Sequence, residues 1–196
     1  MSVSVPNILI LGHSFVRRLK DDLAARFDAR AAPNFHLPES GHVSLYGTGG
    51  RTVDKIHAYD LSLVLKYKPD IVILELGTND LSTLRPEVVG SKIDDLAQAL
   101  RDQYKVRVVG VCQVVNRNIP HTRSPDCDFN AKAAVLRQYL SVILADQHNI
   151  FLREHKEFYR PDSTLLSVDG VHCNAQRQYC LYRSYRGAIL KALTML

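Results

Sequence analysis

The chain has 196 residues, of which 46% are hydrophobic and 23% charged, and this globular balance excludes a disordered protein. No window approaches the roughly 20 apolar residues of a membrane-spanning helix, and the formal net charge of +5 permits an acidic partner without requiring one. The length suits a single domain over residues 1–196, and the four cysteines (Cys112, Cys127, Cys173, Cys180) lack C-x-x-C spacing, so free thiols are expected.

The amino terminus has no basic, then apolar, secretory pattern, so an intracellular, cytoplasmic location is expected, for this chain alone or as a domain of a longer protein. The apolar run Ile8-Leu9-Ile10-Leu11 stops at Gly12 and reads as a buried strand. From Phe15 the period changes: Val16, Leu19, Leu23 and Phe27 recur at helical spacing. His42–Tyr46 is a short strand that ends in the glycine-rich Gly47-Thr48-Gly49-Gly50-Arg51-Thr52. A helix over Val53, Ile56, His57 and Leu61 runs toward Lys66. Ile71–Leu74 is the clearest buried strand and leads through Glu75-Leu76 into Gly77-Thr78-Asn79-Asp80. A helix from about residue 88 to about 103 precedes the strand-like Val106–Cys112, and a polar loop over Asn116–Asp128 carries Pro120, His121, Arg123 and Pro125. Asn130 opens another helix, Ile150–Leu152 is a strand, and Ala175–Leu193 is a last amphipathic helix after Asp169-Gly170-Val171-His172. Strands alternating with helices predict an α/β fold with a mainly parallel sheet covered on both faces.

Ser14 lies at a strand-to-helix junction, the end of an open α/β sheet that carries sites, and at a helix N-terminus that favours negative charge. Serine is also a common helix cap, so the junction alone does not assign chemistry. Acyl transfer needs a nucleophile, a base, a group that orients the base and donors for the oxyanion. Asp169-x-x-His172 spaces a carboxylate and an imidazole closely enough for the first to orient the second.

Taken together, Gly12-His13-Ser14, Gly49-Gly50-Arg51-Thr52, Gly77-Thr78-Asn79-Asp80 and Asp169-Gly170-Val171-His172 resemble the four blocks of the SGNH hydrolase superfamily, the GDSL-type esterases and lipases. The resemblance covers nearly the whole chain. It implies a flavodoxin-like three-layer α/β/α sandwich and a metal-free, cofactor-free serine esterase acting on a small, lipid-linked or sugar-linked acyl ester. It implies Ser14 as nucleophile and His172 as base, with Asp169 orienting it. The oxyanion donors it implies are Ser14, Gly50 and the Asn79 side chain, with His13 and Asp80 in support. The Asn130 helix start and the Leu165-Leu166 approach to Asp169 are also similar to the family.

Two positions depart from the pattern. His13 stands where the family usually has aspartate, and Arg177 stands in the last helix where a glycine would fit. A neutral imidazole accepts through one nitrogen, so His13 is expected to hold the serine loop less firmly, and His13→Asp to preserve or raise kcat. The alternative is a weakly active or inactive SGNH-like binding domain near nucleic acid or membrane, because Gly-His-Ser-Phe-Val-Arg-Arg also resembles SGNH-like domains of retrotransposon proteins. Arg17, Arg18 and Lys20, with Arg177, Arg183, Arg186 and Lys191, would form its basic surface. Nucleotide-binding glycine motifs are absent, and the histidines and cysteines show no metal-ligand spacing.

Overall fold

The computed structural model describes residues 5–25, 32–37, 41–117, 128–159 and 172–196. Five strands, β1 (Asn7–Gly12), β2 (His42–Gly47), β3 (Ile71–Glu75), β4 (Val108–Cys112) and β5 (Ile150–Arg153), form one parallel sheet in the order β2-β1-β3-β4-β5. That is the flavodoxin-like order, and it agrees with the alternation read from the sequence.

Alternate residues of β1 face opposite layers, as the two-residue period of a strand requires. Ile8 and Ile10 pack with α1 (Ser14–Ala25) and α6 (Ala175–Leu193). Leu9 and Leu11 pack on the other face, with α4 (Pro86–Asp102), α5 (Phe129–Ile143) and the segment from Val53 to Tyr67. Every β1 residue except the half-buried Asn7 is buried, which is why Ile8–Leu11 reads as an unbroken apolar run. Among the described residues, no helix is long and apolar enough to cross a membrane.

Three elements differ from the sequence reading. The helix expected from Val53 to Lys66 is α2 (Val53–Lys55), a π-helical turn over Ile56–Asp60, and α3 (Leu61–Tyr67). The single apolar stripe does not show the widened turn, which carries the buried Asp60. α4 starts at Pro86, whose missing N–H costs nothing at the first helical position. α5 is capped by Asp128, whose carboxylate accepts from the N–H groups of Asn130 and Ala131, and Asn130 clasps Arg117 instead. Of the polar loop read over Asn116–Asp128, residues 118–127 lie outside the described residues, as does Cys127. Cys112, Cys173 and Cys180 are free thiols.

Gly47 closes β2 against the first turn of α1. A Cβ there would lie 2.3 Å from the Arg17 amide nitrogen and 2.7 Å from the His13 carbonyl oxygen, backbone atoms that cannot step aside. Gly47→Ala should therefore cost about 2 kcal/mol or more of unfolding free energy by urea titration. Gly49→Ala, where a Cβ meets nothing within 4 Å, should stay within about 0.5 kcal/mol.

Candidate active site

β1 and β3 lie side by side, and β2 turns off to the far side of β1, so the strand order reverses at the carboxyl ends of β1 and β3. Ligands of open parallel sheets bind at that reversal. The loop after β1 carries His13 and Ser14, and the loop after β3 carries Asn79 and Asp80. The loop after β2 carries Gly50.

The helix start at Ser14 is capped by its neighbour. The His13 carbonyl accepts the Arg17 N–H at 3.3 Å, and His13 Nδ1 accepts the Phe15 N–H at 3.4 Å. His13 is thus the cap, and the half-buried Ser14 is the first helical residue, so the serine side chain is not the capping group. The Ser14 N–H is one of the amides an α-helix leaves without an internal acceptor.

Gly50 is exposed and takes φ +69°, a backbone conformation that a Cβ would strain. The Asn79 side-chain amide donates to the Arg51 carbonyl at 2.8 Å, which ties the β3 loop to the glycine loop. An amide carries two N–H bonds, and one is used in this clasp. The Arg51 guanidinium in turn grips Asp60, Nε to Oδ2 at 2.8 Å and Nη2 to Oδ1 at 3.0 Å. Burial pushes the Asp60 carboxyl up and Arg51 offsets part of that rise. Asp80 is buried and accepts the Val53 N–H at 3.0 Å, holding the start of α2, and burial raises its carboxyl too.

His172 lies half-buried over the same helix start, its ring 6.5 Å from that of Phe15, the residue after Ser14. Asp169 and the Leu165-Leu166 pair fall outside the described residues. The structure therefore brings Ser14, Gly50, Asn79, Asp80 and His172 to one end of the sheet and leaves the partnership of Asp169 with His172 as an expectation.

A group that the sequence reading passed over lies against His13, the residue before Ser14. Glu75 ends β3 fully buried, and its Oε2 accepts from His155 Nε2 at 2.9 Å and from the Tyr185 hydroxyl at 3.0 Å. Its Oε1 faces His13 Nε2 at 3.7 Å. Burial would raise this carboxyl, but His155, with help from His13 and Tyr185, brings it below its ordinary value. The one signal was a carboxylate inside the apolar run Ile71–Leu76. His155 and Tyr185 had no local signature. Glu75, Cys112 and His155 also bring three metal-capable atoms within 4.8 Å of one another, which ligand spacing did not reveal. The carboxylate and imidazole already bond each other, and burial pushes the Cys112 thiol far up and keeps it protonated, so the trio forms a hydrogen-bonded core cluster around the Glu75 carboxylate.

The model of the GDSL-like lipase/acylhydrolase family matches residues 10–177. The chain belongs to this family. Its fold is similar to a GDSL-like lipase from Bacteroides thetaiotaomicron, at 17% identity and TM-score 0.74, with 95% of this chain and 89% of that one covered. It is also similar to a member of the lipolytic G-D-S-L family from Veillonella parvula, at 19% identity and TM-score 0.67 over 97% and 99% of the two chains. A carbohydrate esterase family 3 protein from Talaromyces cellulolyticus superposes at TM-score 0.67 and 16% identity, covering 97% and 99%. The search of curated proteins by sequence finds no significant match.

Against the GDSL pattern, the two unusual residues have structural places. Arg177 is 1% exposed, with its guanidinium 4.3 Å over the Phe158 ring, while Asn174 caps α6 by accepting the Arg177 N–H. The basic surface expected on α6 is correspondingly smaller. Arg177 is interior and the half-buried Arg186 donates to the Phe35 carbonyl, while Arg183 and Lys191, the latter over the Phe151 ring, stay exposed. At position 13, an aspartate would set a second carboxylate against Glu75, and like charges in a buried site oppose each other. His13→Asp, which the sequence leads one to expect to preserve or raise kcat, is on this geometry expected to lose stability.

Burial holds His13 at about 4, against 6.5 ordinarily, with Glu75 pulling upward and Arg117, His172 and His155 adding to the fall. The unfolded chain therefore takes up this proton first, so its stabilisation is complete above about pH 6.5 and is lost as pH falls toward 4. Glu75 acts in a lower window, since its contribution is present above the ordinary 4.5 and lost beneath it. Between about pH 6.5 and about pH 5, the His13 share is about 2 kcal/mol. Urea titrations should show wild type losing about that much more than His13→Asn, which keeps a capping acceptor without titrating.

Proposed function

We propose that the chain is a serine esterase of small or lipid- or sugar-linked acyl esters, working as one domain. The observation that carries this reading is the division of labour at the start of α1. His13 caps the helix, and Ser14 occupies its first position at the sheet's reversal point, beside the Gly50 and Asn79 loops.

In this reading, Ser14 Oγ attacks the ester carbonyl carbon as His172 Nε2 takes its proton. Asp169 holds the opposite imidazole N–H. The oxygen that becomes negative is met by the N–H groups of Ser14 and Gly50 and by the Asn79 amide. Collapse of the tetrahedral intermediate expels the alcohol, which receives the proton from His172. Water then attacks the acyl-serine while His172 again accepts a proton, and the acid leaves with Ser14 restored. The Arg51–Asp60 pair and the Asn79–Arg51 clasp hold the donor loops together before substrate arrives, which is where preorganised donors gain over water. The likeness to a GDSL-like lipase and to a carbohydrate esterase supports an ester substrate.

A chain-length series of nitrophenyl esters, with acetylated sugars, is the direct test. Wild type should hydrolyse part of the series, with rate rising across about pH 5–8 as a histidine base requires, and Ser14→Ala should lose about 10⁴-fold or more. A fluorophosphonate should label Ser14 in the intact chain. Labelling retained by Ser14→Ala, or no turnover of any ester by wild type, would overturn the reading.

A further inference from the structure

The Glu75 side chain is 1% exposed at the end of β3, and its two oxygens have different neighbours. Oε2 collects both strong donors, His155 Nε2 and the Tyr185 hydroxyl. His155 is itself fixed from behind, with Nδ1 2.8 Å from Ser184 Oγ, and Ser184 and Tyr185 are successive residues of α6. The last helix thus braces one oxygen, and the other is turned toward His13.

The state of His13 follows from its other nitrogen. Nδ1 accepts the Phe15 N–H, so it carries no proton, and a neutral imidazole must then hold its proton on Nε2. That N–H faces Glu75 Oε1 at 3.7 Å, and neither atom has another hydrogen-bond partner among the described residues. The separation is long for a hydrogen bond, but a full negative charge facing an N–H dipole in a buried site still sets a strong preference between tautomers. With the proton on Nδ1, the ring would present N–H to the Phe15 N–H and a lone pair to the carboxylate, losing both contacts.

We propose that Glu75 is a positioning residue for the nucleophile: it fixes the His13 tautomer that caps α1 and thereby sets where Ser14 stands. The proposal rests on Ser14 being the nucleophile. The path runs from α6 through His155 and Tyr185 to Glu75, across to His13, and up to the helix start, without touching substrate.

Glu75→Gln tests it. The glutamine oxygen can keep the two braced donors, and its NH₂ then meets the His13 Nε2–H donor to donor, which favours the wrong tautomer. Nitrogen-15 NMR of wild type should show His13 protonated on Nε2, and Glu75→Gln should move the proton toward Nδ1 and speed hydrogen exchange at the Phe15 amide. Turnover should fall about 10²-fold in kcat with KM nearly unchanged, and fluorophosphonate labelling should slow in step. A merely structural Glu75 is separated by the double variant. In a His13→Asn background, the cap no longer has a tautomer, so adding Glu75→Gln should cost less than threefold, as expected when the shared contact is already gone. A wild-type His13 protonated on Nδ1, or an equal Glu75→Gln loss in both backgrounds, would overturn the proposal. Should Glu75→Gln fail to fold, the wild-type spectrum decides alone. The spectrum reads the His13 state whether or not an ester is turned over, so failure of the esterase reading stays distinct from failure of this one.

Discussion

A carboxylate sealed from water must have its charge answered by groups inside the fold, and Glu75 places that demand against His13, beside the candidate nucleophile in sequence. Among the described residues, four parts of the fold answer it, the Cys112 thiol at the end of β4 being one. β5 leads into His155, α6 supplies Tyr185 and Ser184, and the end of β1 supplies His13. None of these could be removed cheaply, since a buried charge that loses a partner keeps its desolvation cost. The same residue also joins main chain to main chain, since its carbonyl accepts the His13 N–H at 3.3 Å. Side chain and backbone of one residue therefore both hold the β1 loop to β3.

The opposite rim of the site is built on another principle. The glycine loop after β2 and the asparagine loop after β3 have little apolar material of their own, and polar bonds do the joining: Asn79 to the Arg51 carbonyl, Arg51 to Asp60, and Lys55 Nζ to the Gly50 carbonyl at 3.2 Å. Asn79 is thus a loop clasp as well as a candidate oxyanion donor. A truncation there loosens Gly50 along with removing the amide, and the two losses need not separate in a rate.

The strands and the four motif blocks were legible because they are local: an apolar run, a change of period and a glycine each carry their own physics. All five strands lie where the runs placed them, and α6 matches its predicted bounds at both ends. The illegible parts are contacts between distant segments. His13 read as a weaker substitute for aspartate, because the carboxylate it faces is 62 residues away along the chain. Arg177 read as a surface cation, because nothing near it in sequence announces that Phe158 will lie under it. Asn130 read as the start of α5, whereas Asp128, two residues earlier, caps the helix by accepting from two amides. Asn130 was still worth singling out, since it holds both polar groups of the Arg117 backbone.

The widened turn at Ile56–Asp60 holds one residue more than regular α-helical geometry would need. Each residue of an α-helix turns the chain by about 100°. The extra residue lets Asp60 reach Arg51 while Val53 before the turn, Ile56 at its start, and Leu61 and Val64 after it all stay on the core. A relative that lost this one residue would give up either the Arg51–Asp60 pair or part of that packing, and would keep the rest of the scaffold. In such a lineage, loss of catalysis would leave no trace among the catalytic residues themselves.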